Sequence, residues 1–78
     1  MTLLHRRDPM KNLARFYAIS LEPSLFGGIL LVRVWGRIGT RGRARTEAFS
    51  DESAASAAGE RLVELKRHRG YLEVPSAV

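Results

Sequence analysis

At 78 residues, with no cysteine and a formal net charge of +5, the chain has room for one small domain with a modest core, since a polypeptide of this length buries only about 60% of its unfolded surface. The missing cysteine excludes disulfide staples and thiolate zinc sites and fits a reducing compartment, so the cytoplasm is the expected location. No apolar run nears the roughly 20 residues of a membrane span, and the start of the chain lacks a signal-peptide core, so neither a membrane partner nor export is expected.

Leu3 to Arg7 reads as a short first strand, and Asp8-Pro9-Met10-Lys11-Asn12 as a turn, because Pro cannot donate to a ladder. Leu13 to Leu21 reads as a second strand with Tyr17, Ile19 and Leu21 toward the core. Glu22 to Gly28 is a loop by its Pro and paired Gly, with Leu25 or Phe26 expected to tuck back as a plug. Ile29 to Arg37 is the central strand, Gly39 to Gly42 a tight reversal, and Ala44 to Phe49 the last strand. A helix is expected to start at Ser50-Asp51-Glu52, with Ser50 as its cap, and to run to about Arg69 with Gly70 as its left-handed stop. Its inward stripe reads as Ala54, Ala58, Leu62 and Leu65. The whole is an α+β fold: an antiparallel sheet of about four strands in β-β-β-β-α order, covered by one C-terminal helix. The domain spans 1–78, with a core over about 3–71 and a loose tail over 72–78.

The central strand carries the chemistry. Alternation sends Leu30, Val32 and Val34 to one face, read as core, and Leu31, Arg33, Trp35 and Arg37 to the other. Arg41 and Arg43 leave the following turn beside the same edge. Residues 1–50 hold nine Lys/Arg against three Asp/Glu, and residues 51–78 four against five, so the basic excess belongs to the sheet. Such an asymmetry is the footprint of a polyanion-binding surface, although it also serves solubility.

Catalytic readings lack parts. His5 and His68 have no neighbour at metal-ligand spacing, so no metal or other cofactor is expected. The segment Gly36 to Gly42 matches neither phosphate-loop pattern, and a strand follows where those loops require a helix. No serine has an elbow motif or a partnered base. Nucleic-acid binding has its parts: guanidiniums fork onto phosphates, and one indole offers a flat face that contributes on the order of 1–3 kcal/mol against a base. Parity leaves open whether Trp35 is exposed or core.

Trp35-Gly36-Arg37, followed by Ile38-Gly39-Thr40 and preceded by an aliphatic strand, resembles the WGR domain, a family named for that tripeptide and found in DNA-dependent poly(ADP-ribose) polymerases and small bacterial proteins. Asn12 with the strand from Arg15 to Leu21 is similar to the family's entry strand, Phe26-Gly27-Gly28 to its bacterial subgroup, and Lys66 before Gly70-Tyr71 to its helix exit. The resemblance implies DNA-end binding, with Trp35 against backbone sugar, Arg37 serving DNA and interdomain contacts, and Asn12, Lys66 and Tyr71 near the end. It does not imply the polymerases' catalysis, for which 78 residues have no room.

The expected site is therefore Trp35, Arg37, Arg33, Arg41, Arg43, Asn12, Lys66 and Tyr71. The expected activity is binding of DNA ends, nicks or overhangs through sugar and phosphate by a monomer, with RNA left open as a ligand. The alternative is a protein-interaction adaptor in which Trp35 and Arg37 form a hot spot.

Overall fold

A computed structural model describes residues 1–75. Its elements are β1 (Thr2–Asp8), a single 3-10 turn (Pro9–Lys11), β2 (Leu13–Pro23), β3 (Ile29–Arg37), β4 (Arg43–Phe49), α1 (Glu52–His68) and β5 (Leu72–Glu73). The strands form one antiparallel sheet in the order β4-β3-β2-β1-β5. The expected meander and C-terminal helix are present, with a fifth strand added where the sequence reading began the tail: Leu72 pairs with His5, and Glu73 with Leu4. Residues 76–78 of that tail lie outside the described residues.

The helix covers the opposite face from the one the central strand's parity suggested. Leu31 is 1% exposed and sits in a core with Leu4, Tyr17, Ile19 and Tyr71, against which Trp35, Phe49, Ala58, Leu62 and Val63 pack. Leu30, Val32 and Val34 lie on the other face and are only partly buried. The reason is the cross-strand partners. Val34 faces Ala18 and Ala44, and Val32 faces Ser20 and Thr46, so the middle of that face carries only small or β-branched side chains. On the helix side Trp35 faces Tyr17, and Tyr17 faces Leu4, giving a row of large side chains for α1 to seal. Arg33, which made this face look solvent-facing, is itself partly buried, with its Nε shut off from solvent.

Sequence periodicity placed Ala58 and Leu62 correctly on the inward stripe but misplaced both of its ends, Ala54 and Leu65. Ala55 is fully buried, whereas Ala54 is exposed and Leu65 is 49% exposed. The inward stripe is Ala55, Ala58, Gly59, Leu62, Val63 and Lys66, the i, i+3, i+4, i+7 pattern of a helix lying on a sheet. The cap is Asp51, not Ser50: its Oδ1 accepts from the Ala54 amide at 2.8 Å, and a carboxylate suits the positive end of the helix dipole better than a hydroxyl. Leu25 and Phe26 do not plug the core; they stand 97% and 98% exposed at the β2–β3 loop tip. Leu21, expected in the core, is 38% exposed because α1 crosses the sheet elsewhere.

Two substitutions test the inverted face. Leu31→Ala should cost about 2–5 kcal/mol, well beyond Val32→Ala on the open face. Gly59→Ala should raise the melting temperature, because its Cβ would meet Leu31 and Ile19 at ordinary contact distances of 3.6 and 3.8 Å while removing a helix-interior glycine, worth about 0.5–1 kcal/mol. Thermal melts of the three variants decide it; a larger loss in Val32→Ala than in Leu31→Ala would restore the sequence-based face.

Candidate nucleic-acid interface

The Trp35-Gly36-Arg37 segment is built around a glycine contact. A Cβ on Gly36 would lie 2.7 Å from the Gly42 Cα, and one on Gly42 would strike the Trp35 carbonyl and approach Phe16 Cζ to 2.8 Å. The end of β3 and the start of β4 are thus pressed backbone to backbone, with Phe16 lying directly opposite Gly36 in β2 and filling the space a side chain would have taken. The reversal is closed by the Thr40 amide and hydroxyl, both donating to the Arg37 carbonyl at 3.0 and 2.8 Å, with Gly39 at φ +95°. That is the position-three glycine of a type II turn. The turn carries Arg41, exposed, and delivers Arg43 opposite Trp35.

Arg37 is steered from the neighbouring strand, by the turn that leads into β2. Asn12 caps the 3-10 turn in the left-handed conformation, φ 51°, which asparagine tolerates better than most residues. Its carbonyl and Oδ1 accept from the Arg37 Nη1 and Nη2 at 3.2 and 3.4 Å. Arg15 lies directly opposite Arg37 in the ladder, on the same face of the sheet.

Lys66 and Tyr71 are placed by the helix stop. The Tyr71 amide donates to the Lys66 carbonyl at 3.1 Å and the Gly70 amide to the Arg67 carbonyl at 3.0 Å, with Gly70 at φ +95°. This Schellman closure turns the chain back and drops the Tyr71 ring into the core. Lys66 Nζ then lies 4.9 Å from the Tyr17 ring centroid and 5.3 Å from that of Tyr71, cation–π contacts with both rings. Burial, then Arg69, Arg15 and Arg33, hold the Lys66 pKa below the usual lysine value. Beneath it, Tyr17 Oη and Arg33 Nε are shut off from solvent and meet no hydrogen-bond partner among the described residues.

The surface on the helix side of the sheet therefore joins Arg33, Trp35, Arg37, Arg43 and Lys66 from the expected site, with Asn12 as the clamp on Arg37. Tyr71, at 7% exposure, serves as a platform under Lys66. Trp35 is half-buried, one side on the core and its strand neighbour on the other side being Arg43. Sequence reasoning passed over Arg15, Arg45, Arg69 and Tyr17. Arg15 and Tyr17 had a signal in strand parity, and Arg45 lies opposite Arg33; Arg69 depended on where the helix stopped. Of the thirteen Lys and Arg, Arg67 alone forms an ion pair with a carboxylate among the described residues, 3.0 Å from Glu73.

The family model of the WGR domain matches residues 1–78. The chain belongs to the WGR domain family. An uncharacterized protein, y4dW, of Sinorhizobium fredii is 48% identical over 73 residues, covering 94% of this chain and 36% of that protein. Protein YehF of Escherichia coli is 41% identical over 39 residues, half of this chain and 14% of its own length. The chain thus spans about a third or less of the relatives it matches. No solved structure matches it significantly. Among the described residues of this WGR domain no helix is long and apolar enough to cross a membrane, and no cluster of His, Asp or Glu has metal-binding geometry.

Removing the Lys66 charge tests the site's energetics. A lysine whose folded pKa is depressed destabilises the fold fully below that pKa, and the penalty is relieved as pH rises toward the unfolded value. Lys66→Met keeps the stem over Tyr17 and Tyr71, so its melting temperature should equal or exceed that of the parent at neutral pH. The difference should shrink as pH climbs through the lysine range, as read by melts across pH.

Proposed function

We propose that this WGR domain is a nucleic-acid-binding module of the bacterial cytoplasm that recognises DNA ends or breaks through sugar and phosphate contacts, without catalysis. The observation that carries the reading is the cluster of Lys66 with Arg15, Arg33 and Arg69: burial and then these arginines lower the Lys66 pKa, and among the described residues none of the four pairs with a carboxylate. A protein that leaves cations unpaired over a half-buried face pays in stability for a site that an external anion completes. The unsatisfied Tyr17 hydroxyl and Arg33 Nε add to the same balance. Phosphate is the fitting anion because guanidiniums meet its oxygens bidentately. The WGR domain serves nucleic-acid binding in the poly(ADP-ribose) polymerases, and the family membership lends this chain the same class of partner.

Within this reading the residues divide their work. Arg33, Arg37, Arg41, Arg43 and Lys66 track the backbone, Asn12 fixes the azimuth of Arg37, and Tyr71 holds Lys66 up. Trp35 offers its free side to a sugar or base exposed at an end. Contacts to sugar and phosphate position without reading sequence, so preference for a DNA structure rather than a base sequence follows.

Titrations against blunt-ended, nicked and closed circular DNA at several salt concentrations test the assignment. The log–log slope against salt should be about −2 to −5 for some three to five arginines engaged. Arg37→Ala should weaken binding to all three DNAs and reduce the slope by about one. Trp35→Phe, which keeps an aromatic ring against the core, should narrow the preference for ends and leave the slope unchanged. A slope near zero with no preference among the DNAs would transfer the surface to the adaptor reading.

A further inference from the structure

β4 is an outer strand of the sheet, and its free side is unprotected. Its seven residues pair with β3 without a bulge from Trp35↔Arg43 to Ile29↔Phe49. Among the described residues none of the backbone bonds outside the ladders involves Arg43–Phe49, and every residue of the strand but Phe49 is exposed. The strand contains no proline. The other outer strand, β5, has only two residues, which is how such edges are ordinarily blunted. A long, regular, open edge needs an occupant or a deterrent.

The sequence of β4, Arg43-Ala44-Arg45-Thr46-Glu47-Ala48-Phe49, is complementary to itself when reversed about Thr46. Antiparallel to a second copy, Arg45 stands opposite Glu47 and Glu47 opposite Arg45, Ala44 opposite Ala48, Arg43 opposite Phe49, and Thr46 opposite its own mate. Each cross-strand pair is favourable: two ion pairs, two small pairs, two cation–aromatic pairs and a threonine pair. Shifting the centre to Arg45 sets two arginines face to face, and shifting it to Glu47 sets two carboxylates face to face. A one-residue slip breaks the ion pairs and turns the partner's sheet over. One register is therefore selected by charge.

We propose that this chain self-associates through β4, pairing antiparallel about a two-fold axis at Thr46 so that two sheets become one continuous sheet. The interface is isologous, each residue meeting its complement across the axis. The axis stands perpendicular to the sheet, so both copies of α1 lie on the same side and the two basic surfaces face in one direction. This dimer replaces the monomer expected from the sequence. It does not depend on what those surfaces bind.

Light scattering and sedimentation over a concentration series, with no nucleic acid present, read the assembly. The parent should form dimers. Glu47→Arg should weaken them about tenfold or more, since it sets like charges opposite each other twice, and Arg45→Glu should do the same. Mixing Arg45→Glu with Glu47→Arg should restore association as a heterodimer, an outcome that loss of folding cannot imitate. Because the parent has no cysteine, Thr46→Cys should oxidise to a covalent dimer, whereas Ala44→Cys, displaced along the strand from its own mate, should not. A parent that stays monomeric throughout the series overturns the proposal. So does a dimer indifferent to both charge variants, or one that Ala44→Cys crosslinks as readily as Thr46→Cys.

Discussion

Trp35 faces Tyr17 across β2 and β3, and Tyr17 faces Leu4 across β1 and β2. This row of large side chains is the register that sets which side of the sheet is wet. Slipping either ladder by one residue would break the row and bring side chains of the other face into it. With the row in place, Leu31 and Ile19 come to lie under Gly59, the helix axis is set, and its stop at Gly70 falls where Tyr71 closes the core. Lys66 is then carried over the two tyrosines with nowhere else to go. Core and basic surface are one construction, since the rings that seal the interior are the floor of the cationic cluster.

That construction explains why Lys66 is held below the usual lysine pKa. Positive charge is easy to place on a surface and hard to place above a core. Here the cationic cluster overlies buried tyrosine, and the carboxylates at that end of the helix are engaged elsewhere: Glu73 on Arg67 and Glu64 beside His68. A small domain has only a few kcal/mol to spend, so the arrangement is tolerable because the glycine contact between Gly36 and Gly42 and the Schellman stop fix the backbone at both ends of the cluster.

Much of this was legible in the sequence. The strand boundaries, the two hairpins, the helix and its glycine stop follow from Pro, Gly and apolar periodicity, signals local to a few residues. The Trp35-Gly36-Arg37 segment announced the family, and Arg33, Trp35 and Arg37 fall on one face as alternation requires. What alternation lacked was the identity of the core face, because Leu30, Val32 and Val34 look more apolar than Leu31, Arg33 and Trp35 when the strand is read alone. The choice is made by partners in β2 and β1, and register between strands is not local. Arg15 was missed for the same reason. The ends of the helix stripe were misplaced because four alanines in six residues give periodicity little contrast, and Leu25 or Phe26 was given a core place on hydrophobicity alone.

The short strand β5 has a topological effect out of proportion to its length. It lays Glu73 beside Leu4, so the first and last ordered strands are neighbours although nearly the whole domain separates them along the chain. The contact closes the largest loop the fold contains. A host polypeptide could accordingly enter and leave this domain at almost a single point, which makes it a natural cassette: a unit that can be spliced into a surface loop of a larger protein as readily as appended to its end, without any strand being asked to change its neighbour.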